Sequence, residues 1–280
     1  MKHKTNIILL LILLLLPISV VATEKKTDNT YRPLFTALEL QLGQAHWIET
    51  PLSQLSYKGT DLAIGIEMMR AFKGESRWVQ QHQLRYNYGR GKIAISGVGG
   101  SSYHLASYTF AMMHHSTVAP RLRIYYGADI ALSGGIVTNA HGGNNSLTIK
   151  TDLSLGATAM AVYDFNIVRL PVTARYQLSL PVVGTFSQIE YGELTRHPFQ
   201  GMQWGTWNNR FDMKNRIHFD LHFSSWALRL GYHNDIITHY ATGNRYQLVT
   251  HNFVLGFAGD LMRWSKKNEG KTIKRALYIH

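Results

Sequence analysis

The sequence predicts an all-β protein: an antiparallel transmembrane β-barrel of about ten strands, with twelve as the alternative, behind an N-terminal signal peptide. Three observations predict it. Apolar and polar residues alternate with period two along most of the chain. The alternating runs are much longer than the five or six residues of a typical globular strand. Long and short connections alternate between these runs, as they do in outer-membrane barrels.

The alternation predicts where the strands lie. In the run 121–134, for example, Leu122, Ile124 and Tyr126 alternate with Arg121 and Arg123. Such a pattern places apolar side chains on one face of a strand and polar side chains on the other. We predict strands near residues 34–43, 60–73, 77–89, 103–114, 121–134, 146–162, 167–181, 212–223, 226–236 and 245–260.

The connections between these strands predict the orientation of the barrel. Short turns are expected at the periplasmic rim and longer loops outside the cell. Segment 182–211 is long enough to hide one more hairpin, which would raise the strand number to twelve. The long connections are 44–59, 90–102, 135–145, 182–211 and 237–244, and the short ones are 73–76, 115–120, 163–166 and 224–225.

The first residues predict export. A basic start, the apolar run Ile7 to Leu16 and small residues up to Ala22 are typical of a secretory signal peptide. The run is too short for a membrane-spanning helix, which needs about 20 apolar residues. We therefore divide the chain into a signal peptide (1–22), a flexible N-terminal segment (23–33), an outer-membrane barrel (34–262) and a basic C-terminal tail (263–280). The predicted location is the outer membrane of a Gram-negative bacterium, after cleavage of the signal peptide.

Composition excludes several classes of protein. None of the 280 residues is cysteine, which excludes a disulfide scaffold, a thiolate metal site and a cysteine nucleophile. Charged residues make up only 16% of the chain, against roughly 25% in average proteins. A soluble periplasmic barrel that carries a lipophilic ligand would also alternate. The thin charge on the polar face, and aromatic residues near strand ends, favour the membrane barrel. These aromatic residues include Trp78, Tyr88, Tyr163, Trp226 and Trp264.

The inward-facing residues predict a polar network inside the barrel. Opposite charges in a narrow lumen should pair and leave it plugged or very narrow. Arginines outnumber carboxylates in this set, so we hypothesise a preference for a small anion. The predicted network contains Asp61, Glu67, Arg85, Arg121, Arg123, Asp129, Asp152, Arg169, Arg175, Arg216, Asp220 and Arg229.

Two patterns are candidates for chemistry. His218, Asp220, His222 and Ser224 share one face of a strand, where the two histidines could hold a metal ion or the set could form an Asp–His–Ser relay. His114 and Ser116 end another strand on its lipid-facing side, as the base and nucleophile of a lipid hydrolase could. Polar lumen residues and ordinary interface histidines give the same patterns, and we assign neither catalysis nor metal binding. The loop 139–145 is predicted to be flexible and extracellular.

The expected partners follow from the predicted location. They are membrane lipid or lipopolysaccharide, the barrel-assembly machinery and a possible small anionic ligand. The net charge of +12 is dispersed over many strands, so nucleic-acid binding is not expected. No cofactor is expected.

Several short motifs resemble an uncharacterised family of exported proteins from Bacteroides-like bacteria, catalogued only as a domain of unknown function. The resemblance implies an outer-membrane barrel of unassigned activity and supplies no catalytic residues. The family's prolines near Gln54 and Gln188 are absent here. The motifs are residues 49–59, Asn144-Asn145, Gly184–Ser187, Glu190–Gly192 and Arg229–Tyr232.

The sequence thus predicts a non-enzymatic barrel that is structural or that binds or passes a small ligand, an anion or a lipid-linked compound. The alternatives are a lipid-modifying enzyme of the acyl-hydrolase type and the soluble carrier.

Overall fold

The computed structural model describes residues 34–72, 76–140, 146–190, 193, 197–223 and 226–260. The predicted signal peptide, N-terminal segment and C-terminal tail lie outside these residues, as do Ser224 and Trp264. The described strands are β1 (Phe35–Glu49), β2 (Ser53–Ala71), β3 (Trp78–Ile93), β4 (Ser101–Ala119), β5 (Leu122–Asn139), β6 (Leu147–Ile167), β7 (Leu170–Ser187), β8 (Met202–Thr206), β9 (Arg210–His222), β10 (Trp226–Ala241) and β11 (Asn244–Asp260). Among the described residues, no helix is long and apolar enough to cross a membrane.

Ten of these strands form a closed antiparallel barrel. Each pairs with its neighbours in chain order, β7 pairs with β9, and β1 closes the ring by pairing with β11 from Phe35–Asp260 to Glu49–Tyr246. The predicted ten-strand antiparallel barrel is therefore confirmed. We call the end at which β1 begins and β11 ends the terminal end, and the opposite end the distal end.

Strand β8 is the one departure from this simple ring. It pairs with Val183–Ser187 of β7, whereas β9 pairs with the earlier residues Val172–Ser179. It lies in segment 182–211, where the sequence allows one more hairpin. β8 extends the sheet beside the distal half of β7 and does not make a twelve-strand barrel.

Six strands extend four to seven residues farther toward the distal end than predicted, namely β1, β2, β3, β5, β7 and β10. The predicted loop 44–59 is a three-residue turn between β1 and β2, and the predicted loop 237–244 is the two-residue turn Thr242–Gly243. Both turn residues have positive φ, at 52° and 74°, as tight hairpin turns require. These loop predictions are wrong because the outer face of the strands is polar at the distal end. The alternation of apolar and polar residues is therefore lost there, although the strands continue to pair through their backbones.

The outer face of the barrel carries an apolar band. On β4, six consecutive outward-facing positions run from His104 to His114 without a charged residue. Ten residues at about 3.3 Å each, on a strand tilted by about 40°, span about 25 Å, the height of the apolar band in outer-membrane barrels. Exposed members elsewhere are Leu38, Leu40, Leu42, Ile64, Ile130 and Leu155, each 49–60% exposed.

Aromatic girdles border this band. At the terminal side His114 lies 5.4 Å from both Trp78 and Tyr126, measured between ring centroids. At the distal side His104 lies 4.8 Å from Tyr88. Such a band between two girdles is typical of a barrel that spans a membrane. The alternative of a soluble carrier is wrong, because a soluble barrel would expose polar side chains here.

Candidate functional site

An apolar layer crosses the lumen next to the terminal end, and we call it the apolar floor. Its side chains come from eight of the ten barrel strands, all except β7 and β9, and none is more than 2% exposed. Side chains packed this tightly exclude water from the lumen at that level. The apolar floor consists of Phe35, Ala37, Met69, Ala71, Val79, Ala111, Met113, Tyr125, Met160, Val162, Ala227 and Ala258.

Just distal to the apolar floor lies a buried ion-pair network centred on Glu67. Arg175 Nη2 and Arg229 Nη1 each lie 2.6 Å from Glu67 Oε2. Arg229 also donates to Asp220, Nε to Oδ1 at 2.7 Å and Nη2 to Oδ2 at 2.8 Å, and to Glu39 Oε1 at 2.8 Å. These pairs join β1, β2, β7, β9 and β10 across the lumen. Buried charges of this kind are tolerated because they are paired.

His218 and His233 extend this network. Their Nε2 atoms lie 2.6 Å apart, and the two rings meet edge to face. Arg175 Nη2 lies 2.8 Å from His218 Nδ1. A guanidinium group only donates hydrogen bonds, so His218 Nδ1 accepts, and the His218 proton resides on Nε2 and is donated to His233.

This tautomer argues against metal binding. Glu39, His218 and His233 form one of two described sets with three potential metal ligands close together. A histidine that binds a metal through Nε2 needs the lone pair that His218 uses for its proton. In the second set, Asp152, Asp212 and His239, both carboxylates are already held by a guanidinium, that of Arg210, at 2.8 and 2.5 Å.

The structure does not bring the side chains of His218 and His222 together, as the predicted metal site would require. His222 Nε2 lies 2.7 Å from the Thr173 hydroxyl, which donates to Asp164 Oδ1 at 2.7 Å. Because the hydroxyl proton goes to Asp164, His222 donates to Thr173. Asp220 accepts hydrogen bonds from Arg229 instead of from His222. Ser224 lies outside the described residues, so the structure does not describe the geometry of the predicted Asp–His–Ser relay.

The predicted pair His114 and Ser116 lies on the outer face, at the terminal aromatic girdle. His114 packs between Trp78 and Tyr126, and its buried Nδ1 has no hydrogen-bond partner among the described residues. Within the described part of the chain, no serine hydroxyl forms a hydrogen bond with a histidine ring. This geometry gives an aromatic interface residue and no activated serine.

The distal end of the lumen is closed by the segment that follows β7. Gln188 and Ile189 turn inward and are 1% and 2% exposed. Gln188 Nε2 donates to Glu49 Oε1 at 3.3 Å and its Oε1 accepts from Lys150 Nζ at 3.2 Å, while Lys150 pairs with Glu49 Oε2 at 2.6 Å. Asn244 donates to the Ile189 carbonyl at 3.2 Å. This inserted segment fills the mouth of the barrel.

An aromatic cluster lies beside the inserted segment. Trp47 stacks on Tyr57 with ring centroids 5.9 Å apart and meets Tyr103 edge to face at 5.2 Å. Gly91 opposite Trp47 has no room for a side chain, because a Cβ there would lie 2.5 Å from the indole. The lumen is therefore filled at both ends, with charged residues between.

The structure places most of the predicted lumen residues inside the barrel. Arg121 and Arg169 are the corrections: both are exposed on turns at the terminal end, because the period-two pattern was extended past the strand ends. The other predicted residues face the interior, namely Asp61, Glu67, Arg85, Arg123, Asp129, Asp152, Arg175, Arg216, Asp220 and Arg229.

Several interior residues were missed by the sequence analysis. Six of them lie on the inward-facing side of a predicted strand, so the same rule applied to every position would have identified them: Glu39, Lys150, Asp212, Lys214, His233 and Asp235. The other three, Glu49, Arg210 and His239, lie beyond the ends of the predicted strands.

These additions reverse the charge balance inside the barrel. In the described lumen, carboxylates outnumber basic side chains, so the arginine excess behind the small-anion hypothesis is absent. The carboxylates are Glu39, Glu49, Asp61, Glu67, Asp129, Asp152, Asp164, Asp212, Asp220 and Asp235, and the basic residues are Arg85, Arg123, Lys150, Arg175, Arg210, Lys214, Arg216 and Arg229.

Comparisons with known proteins concern the whole barrel. A protein-family model described as "Protein of unknown function (DUF3316)" matches residues 7–268. No curated protein matches the chain. Among solved structures, the transport unit of the autotransporter AIDA-I from Escherichia coli matches with 11% identity and a TM-score of 0.47, over 86% of this chain and 94% of that one. The outer membrane protease OmpT from Escherichia coli matches with 7% identity and a TM-score of 0.46, over 85% and 99%.

Proposed function

The chain belongs to the DUF3316 family, and from that premise and its own barrel we propose that it is a non-conducting outer-membrane protein that works by binding at its surface. The observation that carries this proposal is the apolar floor, whose side chains are at most 2% exposed. A pore for ions or polar solutes needs a continuous polar path. The apolar floor interrupts that path, and the inserted Gln188–Ile189 segment interrupts it again at the distal end.

The proposed location is the outer membrane of a Gram-negative bacterium, reached after removal of residues 1–22 and inserted by the barrel-assembly machinery. The motifs shared with exported proteins of Bacteroides-like bacteria support export. The proposed orientation places the terminal end in the periplasm, since short turns join the strands there. The distal end then faces outward, and lipopolysaccharide becomes the expected lipid partner.

Conductance measurements test the proposal. The refolded protein in planar lipid bilayers is expected to show no channel steps. Removing the side chains of Met69, Val79 and Met113 together, each by substitution with glycine, should make the terminal half of the lumen permeable to water. Reproducible channel steps from the unmodified protein would contradict the proposal.

A matched control separates loss of the apolar floor from general loosening of the barrel. Met68 and Met112 neighbour floor residues on the same strands and point outward. The variant Met68→Gly/Met112→Gly should exchange interior amide protons as slowly as the unmodified protein. Faster exchange confined to the Met69/Val79/Met113 variant identifies these side chains as the seal.

Lipid hydrolysis, the alternative from the sequence, has no observation in its favour. His114 lies among aromatic rings, and His222 donates to Thr173. The proposed function therefore contains no catalytic step.

A further inference from the structure

A cluster of positive charge lies on the outer face of β1–β3, beyond the distal girdle. Lys58 of β2 is directly opposite Lys92 of β3, Arg90 is opposite Thr60, and His46 of β1 is opposite Lys58. All of these side chains are exposed. We call Lys58, Arg90 and Lys92 the basic cluster.

Among the described residues, the basic cluster has no counter-charge. In the described part of the chain, none of its three side chains lies within 4.0 Å of a carboxylate oxygen. Like charges placed directly opposite on an antiparallel pair destabilise it. An anion from outside the chain would remove this repulsion.

The backbone under the basic cluster is closely packed. On the inner face, Trp47 packs against Tyr57 and over Gly91, and a Cβ on Gly59 would lie 2.0 Å from the Arg90 carbonyl oxygen. The strands are therefore in close contact where the cations project. Since the backbone is already ordered in paired strands, binding a ligand here requires no ordering of a loop.

An apolar groove lies on the same strands, within the membrane band. It has a volume of about 630 Å³ and extends from β3 across β2 and β1 to β11 and β10. Ile64 and Lys58 are six residues apart on β2, which corresponds to about 15 Å along the membrane normal at a tilt of about 40°. The outward side chains that line the groove include Leu38, Leu40, Ile64, Ile66, Leu84 and Leu255.

We propose that this face binds one molecule of lipopolysaccharide, with an acyl chain in the apolar groove and a phosphate group on Lys58, Arg90 and Lys92. The groove lies among side chains that face hydrocarbon, which suits an acyl chain. The basic cluster lies just past the distal girdle, at the depth of lipid phosphates. This assignment depends on the proposed orientation, because lipopolysaccharide occupies the outer leaflet.

Retention of lipopolysaccharide tests the site. Full-length protein purified in mild detergent is incubated with purified lipopolysaccharide, separated from free lipid and analysed by native mass spectrometry. The triple variant Lys58→Gln/Arg90→Gln/Lys92→Gln is expected to lose at least tenfold in the retained fraction. Its control is Arg77→Gln/Arg121→Gln/Arg169→Gln, which removes the same charge from exposed turns at the terminal end and should retain lipid normally.

The proposed binding of an acyl chain in the apolar groove is tested separately, by filling the groove with a larger side chain. Ile64→Trp should reduce retention, whereas Ile130→Trp, which is equally lipid-facing on β5 but lies away from the groove, should not. Equal retention by the cluster variant and its control would overturn the proposal. Displacement by phosphatidylglycerol at equal concentration would also overturn it. Neither result depends on conductance, so a failure here is distinguishable from a failure of the non-conducting barrel.

Discussion

Glu67 of β2 receives two hydrogen bonds from Arg175 of β7 on the other side of the lumen, Nη1 to Oε1 at 2.8 Å and Nη2 to Oε2 at 2.6 Å. Replacing Glu67 with glutamine leaves Arg175 and Arg229 without a shared counter-charge. We expect the free energy of unfolding to fall by about 3–5 kcal/mol, as when one partner of a buried ion pair is removed. Urea unfolding in lipid vesicles, followed by tryptophan fluorescence, measures this change.

Two comparisons make this result specific. Arg169→Gln removes a charge from an exposed turn and should change stability by less than about 0.5 kcal/mol. The double variant Glu67→Gln/Arg175→Met should be less destabilised than the sum of its two single variants, because it removes both partners. Strict additivity would show that the pair contributes no interaction energy.

The depth of the apolar band is tested with arginines on a single strand. Leu40 lies within the band and Gln44, four residues along β1, lies at its distal edge. Leu40→Arg should cost about 2–4 kcal/mol and Gln44→Arg about 0–1 kcal/mol, following the depth dependence measured in membrane barrels. Unfolding in vesicles gives both values. Equal losses in the free energy of unfolding at the two positions would contradict this position of the apolar band.

The hydrogen bond from Arg175 to His218 predicts how the protein responds to zinc. Since His218 Nδ1 accepts from a guanidinium, its Nε2 carries a proton and offers no lone pair to a metal. We expect refolded protein dialysed against zinc to retain less than one equivalent, as measured by atomic emission spectrometry. Retention of one equivalent of zinc that is lost in the His233→Ala variant would show that the His218 ring adopts the other tautomer.

Val168 holds backbone strain in the turn between β6 and β7. Its φ is 57°, a left-handed value that is rare for β-branched residues. Val168→Asn should stabilise the barrel by about 0.5–1 kcal/mol, since asparagine tolerates this conformation. Thermal unfolding measured by the mobility of folded protein on gels detects the gain. Val98→Asn, at another exposed valine whose φ is not positive, should give none.

The sequence predicts the barrel well because one face of each strand must contact lipid. Leu38, Leu40 and Leu42 alternate strictly. The terminal ends of the strands lie within three residues of the prediction, except in β4 and β6, which extend five residues farther. The distal four to seven residues of β1, β2, β3, β5, β7 and β10 were missed because both faces there are polar or mixed. In this region the polar residues Gln44 and His46 face outward, whereas the apolar residues Ala45 and Trp47 pack inside. This is the reverse of the arrangement in the apolar band.

The interior could be predicted only in part. Parity identifies which side chains point inward, and it would have found Asp212 and Lys214 beside Arg216. It does not identify pairs across the barrel, such as Glu67 with Arg175, because these depend on strand tilt and on which strands face each other. The inward turn of Gln188 and Ile189 leaves no periodic signal at all. Charge pairing and end closure therefore needed the structure.

The contacts of Arg229 have a consequence for folding kinetics. Its partners Glu39 and Glu67 are 190 and 162 positions away in the chain, on strands from the opposite half of the sequence. A barrel held by such long-range contacts has a high contact order and is expected to fold slowly. Until β1 meets β11, both carboxylates lack this arginine, so this part of the buried ion-pair network forms only when the barrel closes.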